Sequence, residues 1–73
     1  MEICKNKKTG KVFIYLDETD DGRALMITPL GDTIKLEYEL FTEPEAIDDA
    51  ESTHAKGHIS TAQYKAYRTY VQQ

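Results

Sequence analysis

The sequence is poor in the residues that cross-link small domains or cross membranes. Its 73 residues include one cysteine, no tryptophan and two prolines, and its longest purely apolar run is VFIYL, from Val12 to Leu16. The single cysteine, Cys4, cannot form an internal disulfide, which favours a reducing, cytoplasmic setting. A membrane-spanning helix needs about 20 apolar residues, so the sequence predicts no membrane span. The lysines near the N-terminus are not followed by an apolar h-region of about 7 to 15 residues, so no signal peptide is predicted either.

The size and net charge of the chain limit the classes of partner that it is expected to bind. A chain this short forms one small domain with a small core, so the apolar surface of a partner or of a second copy would add stability. The net charge of −4 opposes nonspecific attraction to nucleic acid and to anionic membranes. Charge is nevertheless segregated, with four lysines in residues 1–13, five acids in residues 42–53, and three bases without an acid in residues 54–73.

The first half of the chain predicts an antiparallel sheet. Apolar segments at residues 2–4 and 11–17 flank the turn KNKKTG, in which Gly10 accepts a positive φ and Asn6 or Thr9 can bond to the backbone. These segments should pair as a β-hairpin, and the second should lie centrally because both of its faces are apolar. After the acidic break DETDDG, a third strand is predicted over RALMIT, ending before Pro29.

A fourth strand is predicted over residues 33–41, TIKLEYELF. Ile34, Leu36, Tyr38 and Leu40 alternate there with charged residues. This alternation is typical of a strand with one buried face and one solvated face.

Residues 42–58 are more polar and allow two interpretations. The stretch could form a short acidic helix, with Thr42 as N-cap and Glu45 closing a capping box. It could equally be an acidic linker, because it contains few apolar residues and many like charges.

The segment from residue 60 to residue 72 predicts a helix. Ser60 and Gln63 form an S-x-x-Q capping box at its start. Apolar side chains then recur at helical spacing at Tyr64, Tyr67 and Val71. We expect Tyr64 and Val71 to pack on the sheet.

These elements predict an α+β fold in a single domain, residues 1–73. It comprises a small antiparallel four-stranded sheet over residues 2–41, an acidic linker or short helix over 42–58, and a C-terminal helix over 60–72. Four short antiparallel strands followed by a helix resemble the small SH3-like barrels and related rolled sheets of many bacterial interaction domains. The resemblance covers residues 2–41 and implies a sheet rolled into a partial barrel, but such a fold does not define a function.

The lysine-rich hairpin is the first candidate binding feature. Its candidate phosphate contacts are Lys5, Lys7, Lys8 and Lys11. Binding of nucleic acid there would be weak and strongly salt-dependent. The alternative interpretation is that these lysines keep an edge hairpin soluble and prevent edge-to-edge pairing.

The acidic turn resembles a calcium-binding loop only in part. Aligned from Asp17, the loop would need glutamate at the position occupied by Thr28, so we expect a solvated turn. His54 and His58 are four residues apart, but with Cys4 they supply at most three favoured zinc ligands. We therefore expect ordinary loop histidines and no metal site.

No catalytic or cofactor-binding residue is predicted. Cys4 lies in the first predicted strand, where a buried and inert thiol is expected. The paired carboxylates lie in turns or on a solvated face, where burial would not raise their pKa values for acid catalysis. The sequence predicts no cofactor and no enzyme activity.

The tyrosines of the terminal helix are the remaining candidates. The candidate partner contacts are Tyr67, Tyr70 and Arg68, because tyrosine offers a large amphipathic surface with few rotatable bonds. The alternative is that the tyrosines pack the helix on the sheet. The sequence thus predicts a cytoplasmic, non-enzymatic module that binds another protein or itself through the sheet edge or the helix. The second hypothesis is a weak nucleic-acid-binding module that uses the lysine-rich hairpin.

Overall fold

A five-stranded antiparallel sheet and two helices make up the fold in the computed structural model, which describes residues 1–73. The strands are β1 (Glu2–Lys5), β2 (Val12–Glu18), β3 (Ala24–Ile27), β4 (Thr33–Leu36) and β5 (Glu45–Ala46). A 3₁₀ turn (Tyr38–Leu40) follows β4, and helices α1 (Ala50–Ala55) and α2 (Thr61–Val71) follow β5.

The predicted first hairpin is confirmed. β1 and β2 pair antiparallel, and Gly10 in the turn has a φ of +73°. Asn6 Oδ1 accepts hydrogen bonds from the backbone N–H groups of Lys8, at 2.9 Å, and Thr9, at 3.0 Å. The turn is therefore closed by local bonds of the kind that its composition indicates.

β2 lies at the centre of the sheet, as predicted, in the order β4-β3-β2-β1-β5. The sheet stays open, since β4 and β5 form opposite edges. Each face carries its own core. One face holds Cys4, Ala24, Met26 and Phe41, and the other holds Ile14, Ile27 and Ile59.

The fourth strand is shorter than predicted, because β4 ends at Leu36 and does not continue to Phe41. The chain leaves the sheet edge and covers one sheet face, where the Tyr38 hydroxyl forms a 2.7 Å hydrogen bond with the Tyr15 hydroxyl. Phe41 is buried in that core, whereas Leu40 is 51% exposed. The alternation over residues 34–40 therefore does not describe one continuous strand face.

The acidic segment contains a fifth strand and a short helix. The predicted N-cap, Thr42, is held by β1: its Oγ1 accepts from Lys5 N at 3.0 Å, and its own N–H donates to the Lys5 carbonyl at 2.9 Å. Glu45 lies in β5, which pairs with β1. α1 begins later, where Asp49 Oδ1 accepts from the backbone N–H of Ser52 at 2.8 Å. The capping box predicted at residues 42–45 is therefore wrong.

The predicted start of α2 is confirmed. Ser60 Oγ accepts from Gln63 N at 3.1 Å, and Gln63 Oε1 accepts from Ser60 N at 2.9 Å. Ser60 Oγ also donates to the Pro29 carbonyl at 2.7 Å, which ties α2 to the turn between β3 and β4.

The side of α2 that faces the sheet is shifted by about one residue from the predicted side, so that Gln63 is buried and Val71 is not. Gln63 is 2% exposed, and its Nε2 donates to the carbonyls of Val12, at 2.9 Å, and Ile27, at 3.3 Å. Because Gln63 faces the sheet, Val71 is 54% exposed, and the prediction that Val71 packs on the sheet is wrong. Tyr64 does pack against the core that contains Ile59.

Candidate functional site

The contact between α1 and α2 is made by an aromatic pair. The imidazole of His54 stacks on the ring of Tyr64, with centroids 4.7 Å apart and ring planes 2° from parallel. His54 Nε2 also forms a 3.0 Å hydrogen bond with Thr61 Oγ1 in the first turn of α2. His54 is therefore a half-buried helix residue, not the loop histidine that was predicted, whereas His58 is exposed in the loop before α2.

A groove of about 340 Å³ lies between the two helices, and we call it the α1–α2 groove. Its apolar lining is Ala50, Tyr64, Tyr67 and Val71. Asp49 and Glu51 lie on its α1 side, and Arg68 lies on its α2 side. The groove is thus an apolar surface with acidic side chains along one rim.

The two tyrosines that line the α1–α2 groove, Tyr64 and Tyr67, are supported by the core of the sheet. Tyr64 and Tyr67 pack against the core formed by Ile14, Ile27 and Ile59. On Tyr64, the Arg68 guanidinium carbon lies 5.6 Å from the ring centroid, within the range of a cation–π contact. These contacts reduce the freedom that the side chains would lose on binding a partner.

Two of the three predicted partner contacts lie in this groove. Tyr67 and Arg68 line it, whereas Tyr70 lines a different depression, between α2 and the sheet, together with Leu25 and Thr33. Sequence reasoning missed Ala50, Asp49 and Glu51, because it put the helix cap at Thr42. The available signal was Asp49 itself, because aspartate is a preferred N-cap residue.

The predicted phosphate contacts Lys5, Lys7, Lys8 and Lys11 lie together at the end of the first hairpin. All four side chains are exposed, and none forms an ion pair. The neighbouring aromatic residues do not offer free faces for base stacking. Phe13 packs edge to face on Phe41, with centroids 4.8 Å apart, and Tyr15 bonds to Tyr38.

The acidic turn is closed by internal bonds. The guanidinium of Arg23 donates to Asp21 Oδ2 from Nε at 3.0 Å and from Nη2 at 2.8 Å, and the hydroxyl of Thr19 donates to Asp21 Oδ1. These bonds, that of Thr19 first, hold the pKa of Asp21 well below its usual range. No group of three or more His, Cys, Asp or Glu side chains is arranged to hold a metal ion.

The one thiol is inaccessible, as predicted. Cys4 is 1% exposed in the core, and this burial raises the pKa of its thiol to about 11, with a further contribution from the charge of Glu2. A thiolate nucleophile therefore does not form at neutral pH.

Comparison with protein-family models, with curated proteins and with solved structures returned no match. None of the helices has the length and apolar character needed to cross a membrane.

Proposed function

We propose that this chain is a non-enzymatic, cytoplasmic protein-interaction module whose α1–α2 groove binds a partner segment with apolar side chains flanked by lysine or arginine. The observation that carries the proposal is the open apolar lining of the groove, where Val71 is 54% exposed beside two supported tyrosines. Aromatic residues on a rigid base are the side chains that dominate binding energy at protein interfaces.

The charge around the groove argues for a basic partner. The groove is lined by two carboxylates, those of Asp49 and Glu51, and by one cation, Arg68, and neither carboxylate forms an ion pair. The net charge of −4 would also attract a basic segment over a longer range. An apolar groove between two helices suits an amphipathic segment that inserts its apolar side chains.

The test uses the full chain, labelled with ¹⁵N, and a designed amphipathic peptide as the probe. The peptide carries leucines at helical spacing and lysines elsewhere, and a matched peptide has glutamate in place of every lysine. We expect the lysine peptide to shift the amide signals of Ala50, Tyr67 and Val71 and to bind about tenfold more tightly than the glutamate peptide.

Two variants make the test specific. Val71→Asp places a charge in the groove and should abolish the shifts, whereas Leu40→Asp changes a comparably exposed leucine elsewhere and should leave them unchanged. Equal binding of the two peptides, or shifts that map to the edge strand β4, would contradict the proposal. Self-association of the unliganded chain in sedimentation that Val71→Asp abolishes would show a second copy in the groove and would also contradict the proposal.

A second candidate function is weak nucleic-acid binding by the hairpin, which the four exposed and unpaired lysines favour. Such binding would fall steeply with salt, because phosphate contacts release counterions. A titration with labelled single- and double-stranded oligonucleotides tests it, with Lys7→Glu and Lys8→Glu as the variants that should abolish binding. No binding at low salt would remove this candidate.

A further inference from the structure

A second groove lies next to the α1–α2 groove, along the face of α2 that carries Lys65 and Arg68. We call it the cationic groove. Its lining includes His54, Thr61, Lys65, Arg68 and Gln72. None of its lining residues is acidic, although the chain contains 13 Asp and Glu residues. This is a second cluster of cationic groups, besides the hairpin lysines, on a protein with a net charge of −4.

The helical repeat creates this cluster. Thr61, Lys65, Arg68 and Gln72 follow one another at helical spacing along one stripe of α2, and α1 adds His54 from the side. The last 20 residues, 54–73, contain no acidic residue, and the nearby acids of α1, Asp49 and Glu51, do not form an ion pair with Arg68.

The two cations of the stripe are available to a ligand. The ion pairs of this protein are Arg23–Asp21 and Lys56–Asp48, and neither Lys65 nor Arg68 forms one. Both side chains are exposed, so neither has a buried role that would hold it away from solvent.

Hydrogen bonds and ring stacking fix the side chains around Lys65 and Arg68. Thr61 Oγ1 bonds to His54 Nε2 at 3.0 Å, and Arg68 Nη1 donates to the Tyr64 hydroxyl at 3.5 Å. The stacking of His54 on Tyr64 holds the imidazole against α2. The groove therefore has one wall that is already ordered before a ligand arrives.

We propose that the cationic groove binds a phosphate group, either as free phosphate or as the phosphate monoester of a small molecule. A guanidinium offers paired donors that match two phosphate oxygens, and an ammonium adds a point charge. The groove volume of about 520 Å³ leaves room for the organic part of a small ester. The cationic groove adjoins the proposed peptide groove and shares Tyr64 and Arg68 with it, whereas Lys65 and Gln72 line the cationic groove alone.

The test is an NMR titration of the ¹⁵N-labelled chain with inorganic phosphate and, separately, with glycerol phosphate, each against sodium chloride at equal ionic strength. We expect phosphate-specific shifts at Lys65, Arg68 and Gln72. Tighter binding of glycerol phosphate identifies a phosphorylated small molecule as the ligand, and equal binding identifies free phosphate.

Matched variants assign the site. Lys65→Gln with Arg68→Gln should weaken phosphate binding by about tenfold or more, because two charge-assisted contacts are lost. Lys7→Gln with Lys8→Gln removes the same charge from the hairpin and should leave binding unchanged. Both pairs are exposed, so the variants should keep the thermal midpoint of the parent. The proposal is overturned if chloride gives the same shifts, if phosphate shifts the hairpin instead, or if the α2 variant binds as tightly as the parent.

Discussion

The side-chain amide of Gln63 donates a hydrogen bond to the carbonyl of Val12, 2.9 Å away and 51 residues earlier in the chain. The same nitrogen donates to the Ile27 carbonyl at 3.3 Å, and the amide oxygen closes the capping box. One side chain thus begins α2 and attaches it to two strands.

Gln63→Ala should lower the free energy of unfolding by roughly 3 kcal/mol, since it removes a cap and the hydrogen bonds to the carbonyls of Val12 and Ile27. Gln63→Glu keeps the acceptor of the capping box but presents a carboxylate to those carbonyls, so it should be at least as destabilising at neutral pH. The introduced carboxyl should have a raised pKa in the folded state, and the stability of this variant should therefore recover as the pH falls and the group is protonated. Urea unfolding against pH measures this, with the exposed Gln72→Ala as control; a Gln63→Glu variant as stable as the parent at pH 7 would contradict the assignment.

Gly31 has both a positive φ and a close contact with α2, whereas Gly57 has only the positive φ, so a comparison of the two measures each effect. Both glycines have positive φ, +92° and +78°, but a Cβ at Gly31 would lie 3.0 Å from the backbone oxygen of Ala62, whereas one at Gly57 would meet nothing within 4 Å. Gly57→Ala should cost about 1 kcal/mol for the backbone conformation alone. Gly31→Ala should cost roughly a further 1 to 3 kcal/mol, because the turn and α2 must move apart. Denaturant unfolding of both variants checks this, and equal losses would contradict the close approach.

The loss of stability on substitution in β3 and β4 should follow the burial of each side chain, not the apolar–polar alternation in the sequence. Met26→Ala should cost about 2 to 5 kcal/mol, because Met26 is fully buried. Leu36→Ala should cost about 1 to 2 kcal/mol, because this side chain is half-buried at the edge strand. Ile34→Ala should stay within about 0.5 kcal/mol. Thermal or urea unfolding ranks the three, and a Leu36 loss as large as that of Met26 would contradict the half-buried position of Leu36.

Cys4 should resist alkylation in the folded protein. Its thiol has a pKa raised from 9.0 to about 11, so the unfolded chain loses this proton at lower pH than the folded chain does. The thiol therefore contributes stability that is fully present below pH 9 and is lost as the pH rises towards 11. Iodoacetamide labelling followed by mass spectrometry should be slow at pH 8 and rapid in urea. Fast labelling without urea would contradict the burial of β1.

Tertiary contacts explain why part of the candidate site could not be predicted. Tyr67 and Arg68 follow from the helical repeat of α2, and both were identified. The acidic rim was not, because Thr42 and Asp49 both fit an N-cap within their local sequence. Only the pairing of Thr42 with Lys5, 37 residues away, excludes the first of these caps.

The sequence by itself determined the features that depend on a few neighbouring residues. The first hairpin with Gly10, the Ser60–Gln63 capping box and the central position of the two-faced strand β2 all follow from turn chemistry, capping and periodicity. Tertiary structure alone decided which residues of these elements meet. After β4, Tyr38 hydrogen-bonds with Tyr15 on the sheet face, and in α2 the bonds of Gln63 to Val12 and Ile27 accompany the exposure of Val71. The physical reason is that a buried polar group must find a partner, and that partner lies in a distant segment that local patterns do not specify.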